Sequence, residues 1–164
     1  MTDAFLEETH EKYCRRFPES FGKELIGFFT DEPQFTRKTL MDNSTDTDDL
    51  IMPWTDDFAK TYSDTYSQDI MEFLPEIFWD LPDGKVSAAR YRYHDHIAER
   101  FSSAFADTVG GWCRENGIAL TGHMMDEPTL ESQTGALGEA MRSYRSFGLP
   151  GICLLYTSPS PRDA

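Results

Sequence analysis

Two short apolar runs, each closed by a carboxylate pair and a proline, set the pattern of the chain. Leu25-Ile26-Gly27-Phe28-Phe29 leads into Thr30-Asp31-Glu32-Pro33. Gly117-Ile118-Ala119-Leu120-Thr121-Gly122-His123 leads into Met124-Met125-Asp126-Glu127-Pro128. A short apolar run bounded by a breaker reads as a buried strand. The stretches between and around the runs carry helical spacing instead. Leu6, Tyr13 and Phe17 predict a helix capped by Thr2 or Asp3 that feeds straight into the first strand. Phe58, Tyr62 and Tyr66 repeat every four residues behind Pro53-Trp54-Thr55-Asp56-Asp57, with Thr55 as the expected cap and the aspartates at the positive helix end. A second apolar segment over residues 69–79 reads as helical but interrupted at Pro75, and Asp83-Gly84 reads as a turn.

The longest expected helix covers residues 87–116, with Ile97, Phe101, Ala104, Phe105, Thr108 and Trp112 on one stripe. Gly117 is placed to end it in a left-handed conformation. After the second strand, Leu137, Ala140, Met141 and Tyr144 predict one side of a helix that stops at Gly148. Pro150-Gly151-Ile152 reads as the entry to a third strand. Strand, helix and strand in this order give an α/β fold, and carboxylates at strand ends give a specific expectation: a partial (β/α)8 (TIM) barrel with about two to three strands and long intervening helices. The polar, acidic run over residues 42–49 is a loop at the carboxyl end of the first strand, and Asn43-Ser44-Thr45 within it matches a glycosylation acceptor.

Residues 1–152 read as one unit without a linker, part of the expected barrel. Residues 153–164 read differently. The tail Cys-Leu-Leu-Tyr-Thr-Ser-Pro-Ser-Pro-Arg-Asp resembles a translated transposon-end sequencing adaptor and is taken as non-native. Met1 is taken as an internal methionine of a longer protein, because no opening strand precedes the first helix.

Composition narrows the partners. The 164 residues carry a net charge of −14, and no basic stripe stands out, which argues against nucleic acid. No apolar run reaches the length of a membrane span. Aromatic residues make up 13 % of the chain, enough that disorder is not the default. Cys14 and Cys113 sit among apolar neighbours and read as buried thiols, with a single disulfide as the alternative. His94 and His96 lie two apart, so they do not share a helix face and make a poor metal pair. The sequence calls for no cofactor and leaves the oligomeric state open.

The strand ends hold the candidate chemistry. Glu32 closes the first strand, where a carboxyl is held rigidly and partly removed from water, as a general acid needs. Strand alternation turns Asp31 to the opposite side unless a bulge intervenes. The segment Phe28-Phe29-Thr30-Asp31-Glu32-Pro33 resembles the strand-end motif of barrel glycoside hydrolases that carry Asn-Glu-Pro, with Asp31 standing where that motif has asparagine. The wider layout is similar to the barrel of α-L-rhamnosidase-type hydrolases and bacterial relatives: Pro53-Trp54-Thr55, Leu74-Pro75, a long helix, the strand ending Thr121-Gly122-His123, and the approach from Arg142-Ser143-Tyr144 to Leu149-Pro150-Gly151-Ile152.

The resemblance implies a carbohydrate substrate and cleavage of O-glycosidic bonds by a carboxylate pair. Glu32 takes the general acid position. Glu127 is the candidate partner, as base in an inverting pair or nucleophile in a retaining one, unless the second carboxylate lies on a later strand. Asp31, His123 and Trp54 are candidate substrate contacts, through hydrogen bonds from the first two and ring stacking from the third, with aromatic core packing as the alternative for Trp54. Two other classes compete. One is a metal-dependent barrel of the sugar isomerase type with Asp31, Glu32, His123 and Glu127 as ligands. The other is a non-catalytic carbohydrate-binding relative.

Overall fold

A computed structural model describes residues 2–39, 41, 45 and 49–152. The adaptor-like tail lies outside the described residues, as do most of the acidic run and both Asn43 and Ser44 of the glycosylation triplet.

Three strands form one parallel sheet in chain order: β1 (Gly27–Asp31), β2 (Ala119–His123) and β3 (Leu149–Pro150). Gly27 sits opposite Ala119 and Asp31 opposite His123, so the two strand ends predicted to carry chemistry are level with each other. β3 touches β2 only at Leu149 and Pro150. The connections are helical, as parallel pairing requires, and the mixed α/β class stands. Among the described residues, no helix is long and apolar enough to cross a membrane.

The two faces of the sheet differ sharply. Phe28 and Leu120 point into a core built with Leu6, Ala106, Val109, Cys113, Leu137, Ala140 and Phe147. The helices supplying that core are α1 (Thr2–Glu8), α6 (Thr108–Glu115) and α8 (Ala140–Tyr144), together with the turn of chain before α6. The alternate positions Phe29 and Asp31 face the other way, beside Thr121 and His123. Leu120 is 2 % exposed whereas Phe29 is 64 % exposed. A parallel sheet normally has both faces covered, whereas among the described residues this one leaves Phe29 and Asp31 exposed on its second face.

The long connection from β1 to β2 builds a second core. Phe58 and Tyr62 of α3 (Phe58–Tyr66), Ile70, Ile77 of α4 (Leu74–Phe78), and Tyr93 and Ile97 of α5 (Ala88–Phe101) close on one another. α5 continues through a π-helical segment, Ser102–Asp107, into α6. The expected helix over residues 87–116 is therefore one path with a widened turn, at which Ser102 donates to the Arg142 carbonyl at 3.1 Å.

Several expectations need correction. The first helix is two, because Thr9 breaks it: its hydroxyl donates to the Phe5 carbonyl at 2.5 Å, bending the chain before α2 (His10–Arg16). Pro75 lies in the first turn of α4 and starts a helix rather than interrupting one. Thr55 does not cap α3; its carbonyl accepts from Phe58 N at 2.9 Å while its hydroxyl donates to Asp57. The last helix is split into α7 (Leu130–Ala136) and α8 by Gly138, whose φ of +85° places its α-carbon against Ala98. Leu137 and Ala140 are buried as expected, but Met141 is exposed. Gly117 does end its helix left-handed, at φ +71°. Cys14 and Cys113 are both free thiols. Cys113 is buried, but Cys14 is only half-buried, with its thiol 3.4 Å from Asn116 Oδ1.

Candidate functional site

The carboxyl ends of β1 and β2 bring four of the sequence candidates, Asp31, Glu32, His123 and Glu127, into contact with one another or with the strand ends. Register places Asp31 against His123, and His123 Nε2 lies 3.1 Å from Asp31 Oδ1. The imidazole is mostly covered while the aspartate is open to water, and Phe29 packs against the ring edge-on at 5.7 Å. The other ring nitrogen, Nδ1, is closed off from solvent without a hydrogen-bond partner among the described residues. An orphaned buried ring nitrogen costs stability, as do Trp79 Nε1 and Ser143 Oγ, which are likewise without partners among the described residues.

Glu32 continues β1 by one backbone bond, its N–H donating to the His123 carbonyl at 3.2 Å. It then leaves the strand, with φ at +49°. Positive φ in a residue other than glycine is uncommon and gathers at functional strand ends. The expected alternation therefore holds for Asp31, which lies on the second face, while Glu32 is re-aimed by its own backbone. Its half-buried side chain makes no hydrogen bond or ion pair among the described residues.

The second strand end repeats the feature. Asp126 has φ +51° and forms an ion pair with Arg37, which ties the loop after β2 to the segment after β1. Glu127 turns back onto the strand end. Its Oε1 accepts from Met124 N at 3.0 Å and from the Tyr144 hydroxyl, and that hydroxyl in turn accepts from Met124 N at 3.1 Å. Two donors on one oxygen fix the carboxylate at the rim. Tyr144 was read as part of a helix stripe; its hydroxyl role has no signal in the spacing. Arg37 likewise has no motif around it.

Trp54 is placed elsewhere. It packs in a tilted arrangement on Phe58, ring centroids 4.5 Å apart, and lines a groove of about 330 Å³ with Phe35, Arg100 and Phe101, which Asp31, Glu32, His123 and Glu127 do not enter. Its role as a contact for substrate at the strand ends is not supported by this placement. The alternative metal set also fails to assemble: among the described residues no three His, Cys, Asp or Glu side chains converge on one point. His94 and His96 diverge as expected. His96 Nε2 lies 2.9 Å from Thr61 Oγ1, whereas His94 lines a separate basic concavity.

No family model matches the chain, and neither does any curated protein or solved structure. The functional reading therefore rests on the site's own geometry.

Proposed function

We propose that the chain is part of a (β/α)8 barrel and that its strand-end rim belongs to a glycoside hydrolase. The observation that carries this reading is the rim itself: Asp31, Glu32, His123 and Glu127 at the carboxyl ends of adjacent parallel strands, beside a sheet face left exposed among the described residues. In a barrel that face is the interior and those ends are where chemistry gathers. Strands in sequential order with the core-forming helices on one face fit the barrel better than a doubly wound sheet, where helices cover both.

The roles follow from the contacts. Glu32, half-buried and free of local ion pairs, is the general acid that protonates the departing glycosidic oxygen. Glu127, oriented by Met124 N and Tyr144, is the opposing carboxylate, acting as base or nucleophile. The Asp31–His123 pair binds sugar hydroxyls, Asp31 as acceptor on the open side.

The test uses the protein extended until the parallel sheet closes. Glu32→Gln should lower kcat by about 10²–10⁴-fold on alkyl glycosides, the range for loss of a general acid. It should do far less on dinitrophenyl glycosides, whose leaving group needs no proton. Equal rates for Glu32→Gln and parent on both substrates would remove the assignment.

A further inference from the structure

The chain is strongly acidic, at −14, yet one concavity is lined by three of its fifteen lysines and arginines. Arg37, Lys38, Arg90 and His94 line a hollow of about 510 Å³ between the segment after β1, the start of α5 and α7. Lys38 is half-buried. Its ammonium donates to the carbonyls of Ile77 at 3.2 Å and Thr39 at 3.4 Å and lies 5.1 Å over the Phe78 ring, with no carboxylate against it among the described residues. Arg90 is anchored by the Glu76 carbonyl at 2.8 Å and by Asp80, whose side chain is 86 % exposed and outside the hollow. Arg37 reaches Asp126 at the edge of the rim. Glu131 is the one carboxylate on the lining, and it is exposed.

Arg37 and Arg90 each keep one carboxylate partner, Asp126 and Asp80, whereas Lys38 has none among the described residues and feels the Arg90 charge. Burial first, and then the Lys38 and Arg90 charges, push the His94 imidazole down to about 4. Burial and the Arg90 charge also lower Lys38. A compact anion seated among these groups would relieve the repulsion and accept charge-assisted hydrogen bonds from a guanidinium and an ammonium.

We propose that this hollow is a binding site for the oxyanion of a small ligand, a phosphate, sulfate or carboxylate group held by Lys38, Arg37 and Arg90 with His94 as the fourth wall. The site stands apart from the hydrolase reading, since it needs neither Glu32 nor Glu127.

The test is a titration of the full chain with inorganic phosphate, sulfate and glucuronate at low ionic strength, with glucose as the neutral control. Binding is followed by the His94 ring resonances, with His10, His96 and His123 as internal references. The proposal expects a saturable shift at His94 with at least one anion, none with glucose, and about tenfold weaker binding in Lys38→Met. Arg37→Gln, at an exposed position, provides a second variant if Lys38→Met unfolds. The preferred anion separates a carboxylate-bearing ligand from a phosphate- or sulfate-bearing one. No saturable His94 shift with any anion up to about 50 mM, or the same affinity in parent, Lys38→Met and Arg37→Gln, would overturn it.

Discussion

Gly122 is where the geometry of the rim can be broken with a single methyl group. It sits at φ +122° opposite Thr30, and an added β-carbon would lie 2.0 Å from the Thr30 carbonyl oxygen and 2.7 Å from its nitrogen. Both neighbours are backbone, so the strand pair itself must part. The left-handed φ costs an alanine about 1–3 kcal/mol, and forcing a carbon into a closed contact adds about 1–3 kcal/mol. The sum, about 2–6 kcal/mol, is a large share of the 5–15 kcal/mol typical of a folded domain. Gly111→Ala is the matched control. It lies in α6 with its nearest outside atom at 3.9 Å, so alanine there should stabilise by about 0.5–1 kcal/mol. Urea unfolding followed by far-ultraviolet circular dichroism separates the two. Because His123 is the next residue, Gly122→Ala should also lose the 3.1 Å approach to Asp31, visible in the His123 ring resonances. A Gly122→Ala protein within about 0.5 kcal/mol of the parent would refute the close strand pairing on which the site depends.

Three further outcomes are expected. His94, held at about 4 against an ordinary value near 6.5, binds fewer protons folded than unfolded, so stability is full above about pH 6.5 and falls by roughly 2–3 kcal/mol as pH drops toward 4; His94→Gln should remove that part of the slope in urea titrations at each pH. Burial raises the Cys113 thiol to about 11, so iodoacetamide at pH 8 should label Cys14 in the folded protein and Cys113 only on unfolding, and peptide mass spectrometry would show equal labelling if this is wrong. Tyr66→Phe removes the 2.6 Å bond to Asp95 Oδ2, leaving Asp95 to Arg142 alone, and should cost about 1–2 kcal/mol in the same unfolding assay.

Much of the backbone plan was legible in the residues. Both strands, their parallel layout and the left-handed Gly117 follow from apolar run length and breaker chemistry. The misread boundaries share one cause: a side chain or a contact decided them, not the period. Thr9 bends a helix through its own hydroxyl, and Gly138 splits one because Ala98 needs the space. The rim was half legible. Strand-end carboxylates can be read from a motif, and register then puts Asp31 on His123. The Tyr144 hydroxyl on Glu127 joins residues that only the α7–α8 turn brings together. The basic hollow draws Arg37-Lys38 and the Arg90–His94 pair from two separated segments, so a search for a basic stripe passes over it. Trp54, open in the sequence between substrate stacking and aromatic packing, packs on Phe58 of the second core.

The account turns on Glu32 as a proton donor at the rim. Comparing Glu32→Gln with parent on alkyl and dinitrophenyl glycosides, in the protein with its sheet closed, addresses this most directly. The expected result is a rate loss of about 10²–10⁴-fold confined to the alkyl substrates; unchanged rates on both, or no glycoside cleaved by the parent at all, would contradict it.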